Sequence, residues 1–223
     1  MTPRQTLRET LEARKPLTVG AIADSSAFQS DLTGCDVVEL RLDSLGTGED
    51  VLSFARTCPL PLLITARGKA EGGQSDWDLG DRARAYREFL PMASAIDIEL
   101  RDFDALDDIV SAARDEEVIL VGSYHDFSAT PNAGDLRGKL NEKADLHKFA
   151  LMATSADCIR RHLDLFDAIP DLPLSLMGMG PLGAAARPLM AKAGSLLNYG
   201  FLGATPTAPN QWPAGLLQQA LSV

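Results

Sequence analysis

Lys148 and His125 are of the two residue types that together carry out carbonyl and proton chemistry. Lys148 is followed by Phe149, Ala150 and Leu151, an apolar setting for an amine. A free lysine has a pKa of ~10.4, so about 1 in 2,500 is neutral at pH 7. Desolvation and nearby cations lower that value. A lysine so placed attacks a carbonyl and forms a Schiff base. His125 is the natural proton carrier beside it, since an unperturbed imidazole has a pKa of ~6.5. The plainer alternatives are a rim ion pair of Lys148 with Asp145 or Glu99, and a histidine satisfied locally in a loop. His147 alternates away from Lys148 toward a helix layer, and His162 falls within a helical pattern. Three histidines with no HxH or HExxH give no metal-site signal.

The elements around these two residues bring them together. Residues 118–121 are an apolar, β-branched run that reads as a strand, and His125 falls just past its end. Thr130-Pro131 closes a turn, residues 132–143 carry a helical pattern, and residues 144–150 read as the next strand, with Lys148 on it. Strand, helix, strand is a βαβ unit with parallel strands, so both carboxyl ends lie at one edge of the sheet. That is the edge where α/β folds place their chemistry.

The same alternation runs through the chain. Strands are expected at 17–23, 36–43, 60–67, 95–100, 118–121, 144–150, 172–178 and 199–203. Helical stretches are expected near 26–32, 48–57, 81–92, 104–115, 132–143, 154–166, 184–197 and 214–221. Residues 1–16 are polar and read as an N-terminal extension, and residues 68–74 as a flexible loop. Eight strands alternating with eight helices, without a linker or repeat, predict an α/β chain folded as a single (β/α)8 TIM barrel over residues 1–223. An open doubly wound sheet is disfavoured, because no GxGxxG or Walker-type loop follows the first strand. In the second strand Glu39, Arg41 and Asp43 alternate with Val38, Leu40 and Leu42. With helices outside, the charged face belongs in a lumen, where charge is costly unless paired or used. Glu39, Arg41, Arg67, Glu71, Glu99, His125, Lys148 and Arg187 would then converge on the barrel mouth.

The chain has 223 residues, 45% of them hydrophobic and 23% charged, which suits a globular protein. Its net charge of −10, without a Lys/Arg-rich run, argues against a nucleic-acid partner but leaves room for anionic small molecules. Cys35, Cys58 and Cys158 are odd in number and lack a CxxC spacing, which points to reduced thiols in a cytoplasmic protein. No signal-peptide core and no run of ~18 apolar residues is present, so no membrane association is expected.

Seven motifs in order resemble one family. They are Glu39-Leu40-Arg41-Leu42-Asp43, Glu71-Gly72-Gly73, Asp97-Ile98-Glu99-Leu100, Ser123-Tyr124-His125-Asp126-Phe127 with Thr130-Pro131, residues 144–150 around Lys148, Met177-Gly178 with Arg187 ten residues on, and Ala208-Pro209-Asn210-Gln211. Together, across about residues 17–221, they resemble type I 3-dehydroquinate dehydratase, the Schiff-base enzyme of the shikimate pathway. The resemblance implies that Lys148 forms an imine with the C3 carbonyl of 3-dehydroquinate. His125 would move the proton at C2, and Glu71 would orient and polarise His125. Glu39, Arg41, Arg67, Arg187 and Gln211 would hold hydroxyls and carboxylate, Arg187 being the choice for the carboxylate. Met177 would pack on the ring, with Tyr199 as an aromatic wall and Thr207 where serine is frequent. It implies no cofactor or metal, and a homodimer. The loop over residues 205–213 would close the mouth. The sequence departs from the family at Ala186, at Asn210, where glycine is usual, and at Gly20, which leaves the first strand without a hydroxyl. Two other readings stay open. One is a class I aldolase acting on a sugar phosphate, with Gly178, Gly180 and Gly183 as its phosphate loop. The other is a non-catalytic barrel that binds a ligand.

Overall fold

The computed structural model describes residues 2–208 and 210–222. Eight parallel strands run β1 (Leu17–Ile22), β2 (Val37–Arg41), β3 (Leu62–Thr65), β4 (Ala95–Glu99), β5 (Ile119–Asp126), β6 (Leu146–Met152), β7 (Leu174–Met179) and β8 (Leu197–Phe201). The helices are α1 (Pro3–Glu12), α2 (Leu42–Leu45), α3 (Glu49–Thr57), α4 (Leu79–Phe89), α5 (Asp107–Asp115), α6 (Ala133–Arg137), α7 (Ala156–Ala168), α8 (Gly183–Ala193) and α9 (Ala214–Leu221). The strands bond in the order β7-β6-β5-β4-β3-β2-β1-β8, so the expected (β/α)8 barrel is formed. Among the described residues no helix is long and apolar enough to cross a membrane.

The ring closes between β7 and β8 without a regular ladder. Leu196 N–H donates to Leu174 O and Leu176 N–H to Ser195 Oγ, both at 2.9 Å, and the Ser175 hydroxyl donates to Leu197 O. Two buried serines thus satisfy backbone groups that strand pairing satisfies elsewhere in the barrel.

Alternation along the strands separates two apolar layers. Val38, Leu40, Ile64, Ile96, Leu120, Phe149 and Leu176 face outward and pack under the helices, against Leu52, Phe89, Ile109 and Leu165. Val19, Val37, Leu63, Ile119, Leu146 and Leu197 fill the lumen toward the amino ends of the strands. Above them, toward the carboxyl ends, the lumen is polar.

Several elements differ from their expected bounds. β5 continues through Asp126, so His125 lies on the strand and not beyond it. The helix expected over 132–143 is only Ala133–Arg137, a stretch containing Gly134 and ended by Gly138. α8 ends at Ala193 because Gly194 takes φ +121°, which stops the helix before 197. Residues 68–74 contain an ordered 3-10 turn, Lys69–Glu71. Gly20 faces the helix layer, where a Cβ would lie 2.4 Å from Cys35 Sγ, so it is not the position at which the first strand meets the lumen.

Residues expected as a polar extension form α1 instead. Thr2 and Gln5 build its capping box, and Leu7 is buried in the lumen cluster. The Arg4 guanidinium donates to four backbone carbonyls: Ala93 at 2.7 Å, Glu116 at 2.7 Å, Leu90 at 2.8 Å and Pro91 at 2.9 Å. α1 thereby plugs the amino end of the barrel. Arg4→Ala should lower stability by about 2 kcal/mol, which thermal unfolding would read as a drop of roughly 4–8 °C in Tm. Arg4→Lys should restore little of it, since an ammonium cannot fork onto four carbonyls; an unchanged Tm in either variant would show that α1 is not fastened through Arg4.

Candidate active site

A cavity of about 290 Å³ opens at the carboxyl ends of the strands. The eleven residues to which the resemblance gives a role line it: Glu39, Arg41, Arg67, Glu71, His125, Lys148, Met177, Arg187, Tyr199, Thr207 and Gln211. Glu99, also expected at the mouth, does not, because its oxygens are taken by the Gly68 N–H and Arg101. His147 and His162 do not; both are buried, and His147 Nε2 accepts the Asn141 N–H at 3.1 Å.

Lys148 points into the lumen from the middle of β6, between Leu146 and Ala150. Its Nζ lies 2.8 Å from Asp97 Oδ2 and 3.8 Å from Glu39 Oε1, and 4.1 Å from the centre of the Tyr199 ring. The rim partners considered from the sequence are engaged elsewhere. Asp145 accepts the Leu120 N–H at 2.7 Å, and Glu99 accepts the Gly68 N–H at 2.7 Å.

Asp97 is the residue that sequence reasoning missed. Its other oxygen takes Arg67 Nη2 at 2.7 Å and the Ser123 hydroxyl, and Arg67 Nη1 donates to that same hydroxyl at 2.6 Å. Burial alone would raise the Asp97 carboxyl; Arg67 and Lys148 outweigh it and hold the group well below the usual carboxylate range. The available signal was its place with Glu99 on one face of the fourth strand.

His125 stands on β5 with Nδ1 2.9 Å from Glu71 Oε2, and that oxygen also accepts the His125 backbone N–H at 3.0 Å. With Glu71 ionised, Nδ1 carries the hydrogen and Nε2 is free to act as a base. Burial, then the cations Arg67 and Lys148, pull the imidazole well below its ordinary pKa, so it is neutral at pH 7. Burial pushes the Glu71 carboxyl up to about 7, against the pull of Arg67. Glu71 reaches His125 from a turn that needs its glycines. Gly72 has φ +89°, and a Cβ on Gly73 would lie 2.0 Å from Arg67 O.

The three arginines are held differently. Arg41 makes two hydrogen bonds to Asp43, at 2.9 and 2.8 Å, and Arg67 is paired with Asp97. Arg187, buried on α8, donates to Tyr199 O at 3.0 Å, while its Nε has no partner. No carboxylate within 4 Å neutralises it among the described residues, and burial draws its pKa down to about 10. A buried guanidinium without a counter-charge is costly, and an anion in the cavity would offset that cost.

The loop between β8 and α9 crosses the mouth. Gln211 Oε1 accepts from the Thr207 N–H at 2.9 Å and hydroxyl at 2.7 Å. Asn210 takes φ +55°, a conformation asparagine tolerates, and donates to Gly180 O at 2.9 Å. Pro209 of that motif lies outside the described residues. The glycine loop after β7 has part of its backbone engaged: Leu182 N–H donates to Ala153 O and Gly183 N–H to Gly180 O, both at 2.9 Å. A phosphate cradle there would lack those two donors.

The sequence model of the type I 3-dehydroquinase family matches residues 16–223. The chain is 31% identical over 195 residues to the 3-dehydroquinate dehydratase of Methanocella arvoryzae, covering 85% of this chain and 88% of that one. It is 32% identical over 214 residues to that of Methanothrix thermoacetophila, covering 91% and 88%. The crystal structure of 3-dehydroquinate dehydratase from Geobacillus kaustophilus superposes with a TM-score of 0.82 at 25% identity, over 93% of this chain and 90% of that one. The carboxyl transferase domain of Rhizobium etli pyruvate carboxylase shares the barrel alone, at 15% identity and a TM-score of 0.63, over 99% of this chain and 45% of that one. On a family match that runs almost from end to end, and on relatives above 30% identity, the chain belongs to the type I 3-dehydroquinase family.

Proposed function

We propose that this chain is a hydro-lyase that converts 3-dehydroquinate to 3-dehydroshikimate through an imine on Lys148. The observation that carries the reading is one cavity holding a buried amine, a neutral imidazole and a guanidinium with no counter-charge.

Lys148 Nζ adds to the C3 carbonyl, and loss of water gives a protonated imine. The imine draws electrons and makes the hydrogen at C2 acidic. His125 Nε2 takes that proton, leaving an enamine. The enamine expels the C1 hydroxyl, which departs as water with the proton His125 has carried. One water then hydrolyses the unsaturated imine and frees the amine, so the net change is loss of one water. Arg187 grips the substrate carboxylate with two hydrogen bonds, and Glu39, Arg41, Arg67 and Gln211 meet its hydroxyls. Met177 and Tyr199 pack on the ring, and Thr207 holds Gln211 in place. Asp97 fixes the amine relative to Arg67. Metal and organic cofactor have no step in this scheme. The engaged amides after β7 count against a sugar-phosphate aldolase.

A cytoplasmic setting belongs to the same reading, and Cys35, Cys58 and Cys158 are all free thiols. So does a homodimer. Leu189 on α8 and Leu216 on α9 are exposed on neighbouring helices, at 43% and 50%. Residues 172–223 contain two charged side chains, Arg187 and Lys192, so copies of an acidic chain can approach there without strong repulsion.

Enone absorbance should appear when wild-type protein meets 3-dehydroquinate and be almost abolished in Lys148→Ala. Borohydride added with 3-dehydroquinate should leave one reduced adduct, on Lys148; trapping only a keto-sugar phosphate would instead establish the aldolase. His125→Ala should still trap an adduct while kcat falls by about 10²–10⁴-fold. Because a second proton on the His125–Glu71 pair blocks Nε2, kcat/KM should fall as pH drops through about 7 and level off above it. Arg187→Met should lower kcat/KM by about 10–150-fold, the loss of charged hydrogen bonds to the carboxylate; a change under twofold would remove that assignment. Sedimentation should give a dimer that Leu216→Glu weakens, and a monomer at high concentration would refute the pairing.

A further inference from the structure

We infer that Arg101 is a positioning residue for the proton-carrying pair, holding Glu71 behind His125 and keeping that pair to one proton under working conditions. This rests on the dehydratase reading of the same cavity. Arg101 lies on the 3-10 turn Leu100–Asp102 that directly follows β4, with its side chain 49% exposed. Its Nε is 3.8 Å from Glu71 Oε1, the oxygen opposite the one that meets His125. Among the described residues, Arg101 and His125 supply the two cationic or potentially cationic groups within 4 Å of Glu71.

The guanidinium is itself anchored. Its Nε donates to Glu99 Oε2 at 3.0 Å, and Nη2 donates to the same oxygen. The other oxygen of Glu99 takes the Gly68 N–H at 2.7 Å. Gly68 O in turn accepts from the N–H groups of Glu71 and Gly73, both at 3.0 Å, so it starts the turn that carries Glu71. Glu99 thus fixes Arg101 with one oxygen and the Glu71 turn with the other, and the distance between guanidinium and carboxylate is set by both.

The charged groups facing Glu71 are Arg67 just past β3, Glu99 from β4, Arg101 from the turn after it and His125 from β5. Those facing His125 besides Arg67 are Lys148 from β6, Asp97 from β4 and Arg41 from β2. Arg67 is already committed to Asp97 and Ser123, whereas Arg101 reaches Glu71 from the solvent side. Removing a cation from a carboxylate lets the pair take up its second proton at higher pH. That proton ends on Nε2, either directly or by reversing the imidazole tautomer when Glu71 holds it, and the base is lost.

The test is a pH titration of the His125 imidazole by 1H–15N NMR, assigned against His125→Asn, together with the pH profile of kcat/KM. Arg101→Gln should raise the midpoint of the pair by about half a pH unit or more. On the acid limb its kcat/KM should then fall about threefold below wild type, while the alkaline plateau stays within about twofold. Arg101→Lys should return the midpoint toward wild type. A wild-type midpoint in Arg101→Gln would overturn the proposal. So would equal loss in Arg101→Gln and Arg101→Lys at every pH, which would make Arg101 a support of the fold only. Should wild-type protein fail to act on 3-dehydroquinate, the dehydratase reading falls by itself, and the NMR midpoint still decides whether Arg101 sets the pair.

Discussion

Asp97 places one carboxylate oxygen 2.8 Å from Lys148 Nζ and the other 2.7 Å from Arg67 Nη2, and all three side chains are buried. A carboxylate taken this far from water is costly, and here two cations and a serine hydroxyl offset the cost. Removing one partner of such a group typically costs about 3–5 kcal/mol, because a buried charge is left uncompensated. The surrounding choices follow from this. Ser123 and Thr65 are small and carry hydroxyls, so they fill remaining hydrogen-bonding positions without crowding the lumen. Glu39 adds a second anion at 3.8 Å from the amine. This polar layer rests on an apolar one, and Leu7 of α1 extends that floor.

Charge in the cavity is graded and not simply positive. Arg41 and Arg67 are each matched by a carboxylate on the protein, and their fields act locally on His125. Arg187 is matched by none within 4 Å among the described residues, although it is as deeply buried as Arg67. A chain with a net charge of −10 therefore presents to the cavity a buried guanidinium with no carboxylate within 4 Å among the described residues. The same cations that make Asp97 a stable anion keep the imidazole neutral, so the base and the amine's anchor are tuned by one set of charges.

Much of this could be read from the chain, and the exceptions have identifiable causes. The strand–helix alternation is legible because each strand is bounded by turn chemistry and each helix has an apolar stripe. The charged residues at strand ends are legible because in a barrel every strand ends at the same mouth. Asp97 is different. It lies deeper on β4 than Glu99, and the β4–β5–β6 register sets Glu99, not Asp97, level with Ser123 and Lys148. Even the strand pairing would point to the wrong carboxylate, and only the reach of the lysine side chain brings its amine to Asp97. α1 is hidden for another reason. Its fastening is made by Arg4 to backbone carbonyls about ninety residues away, and a carbonyl leaves no mark on sequence composition. Gly20 misleads because strand parity decides which residue faces the lumen, and a one-residue error exchanges the two faces.

The place where the barrel is least regular is also where Arg187 enters. Along β8, backbone groups of Leu197, Tyr199 and Phe201 face away from β1 and toward β7. None of the three is satisfied by β7 backbone. Leu197 O takes the Ser175 hydroxyl, Tyr199 O takes Arg187 Nη1 at 3.0 Å, and Phe201 N–H reaches Trp212 O at 2.9 Å. A complete ladder would have brought β7 backbone to the Tyr199 carbonyl and crowded the place where Arg187 Nη1 now donates. An open strand edge is ordinarily a liability, and here it is covered by three partners from the chain itself. One of them is the guanidinium of Arg187, which lines the cavity. The same carbonyl that leaves the ladder incomplete fixes the head group of Arg187 beside Met177 in the cavity that the Thr207–Gln211 loop also lines, so closing the barrel and placing this guanidinium are one structural solution.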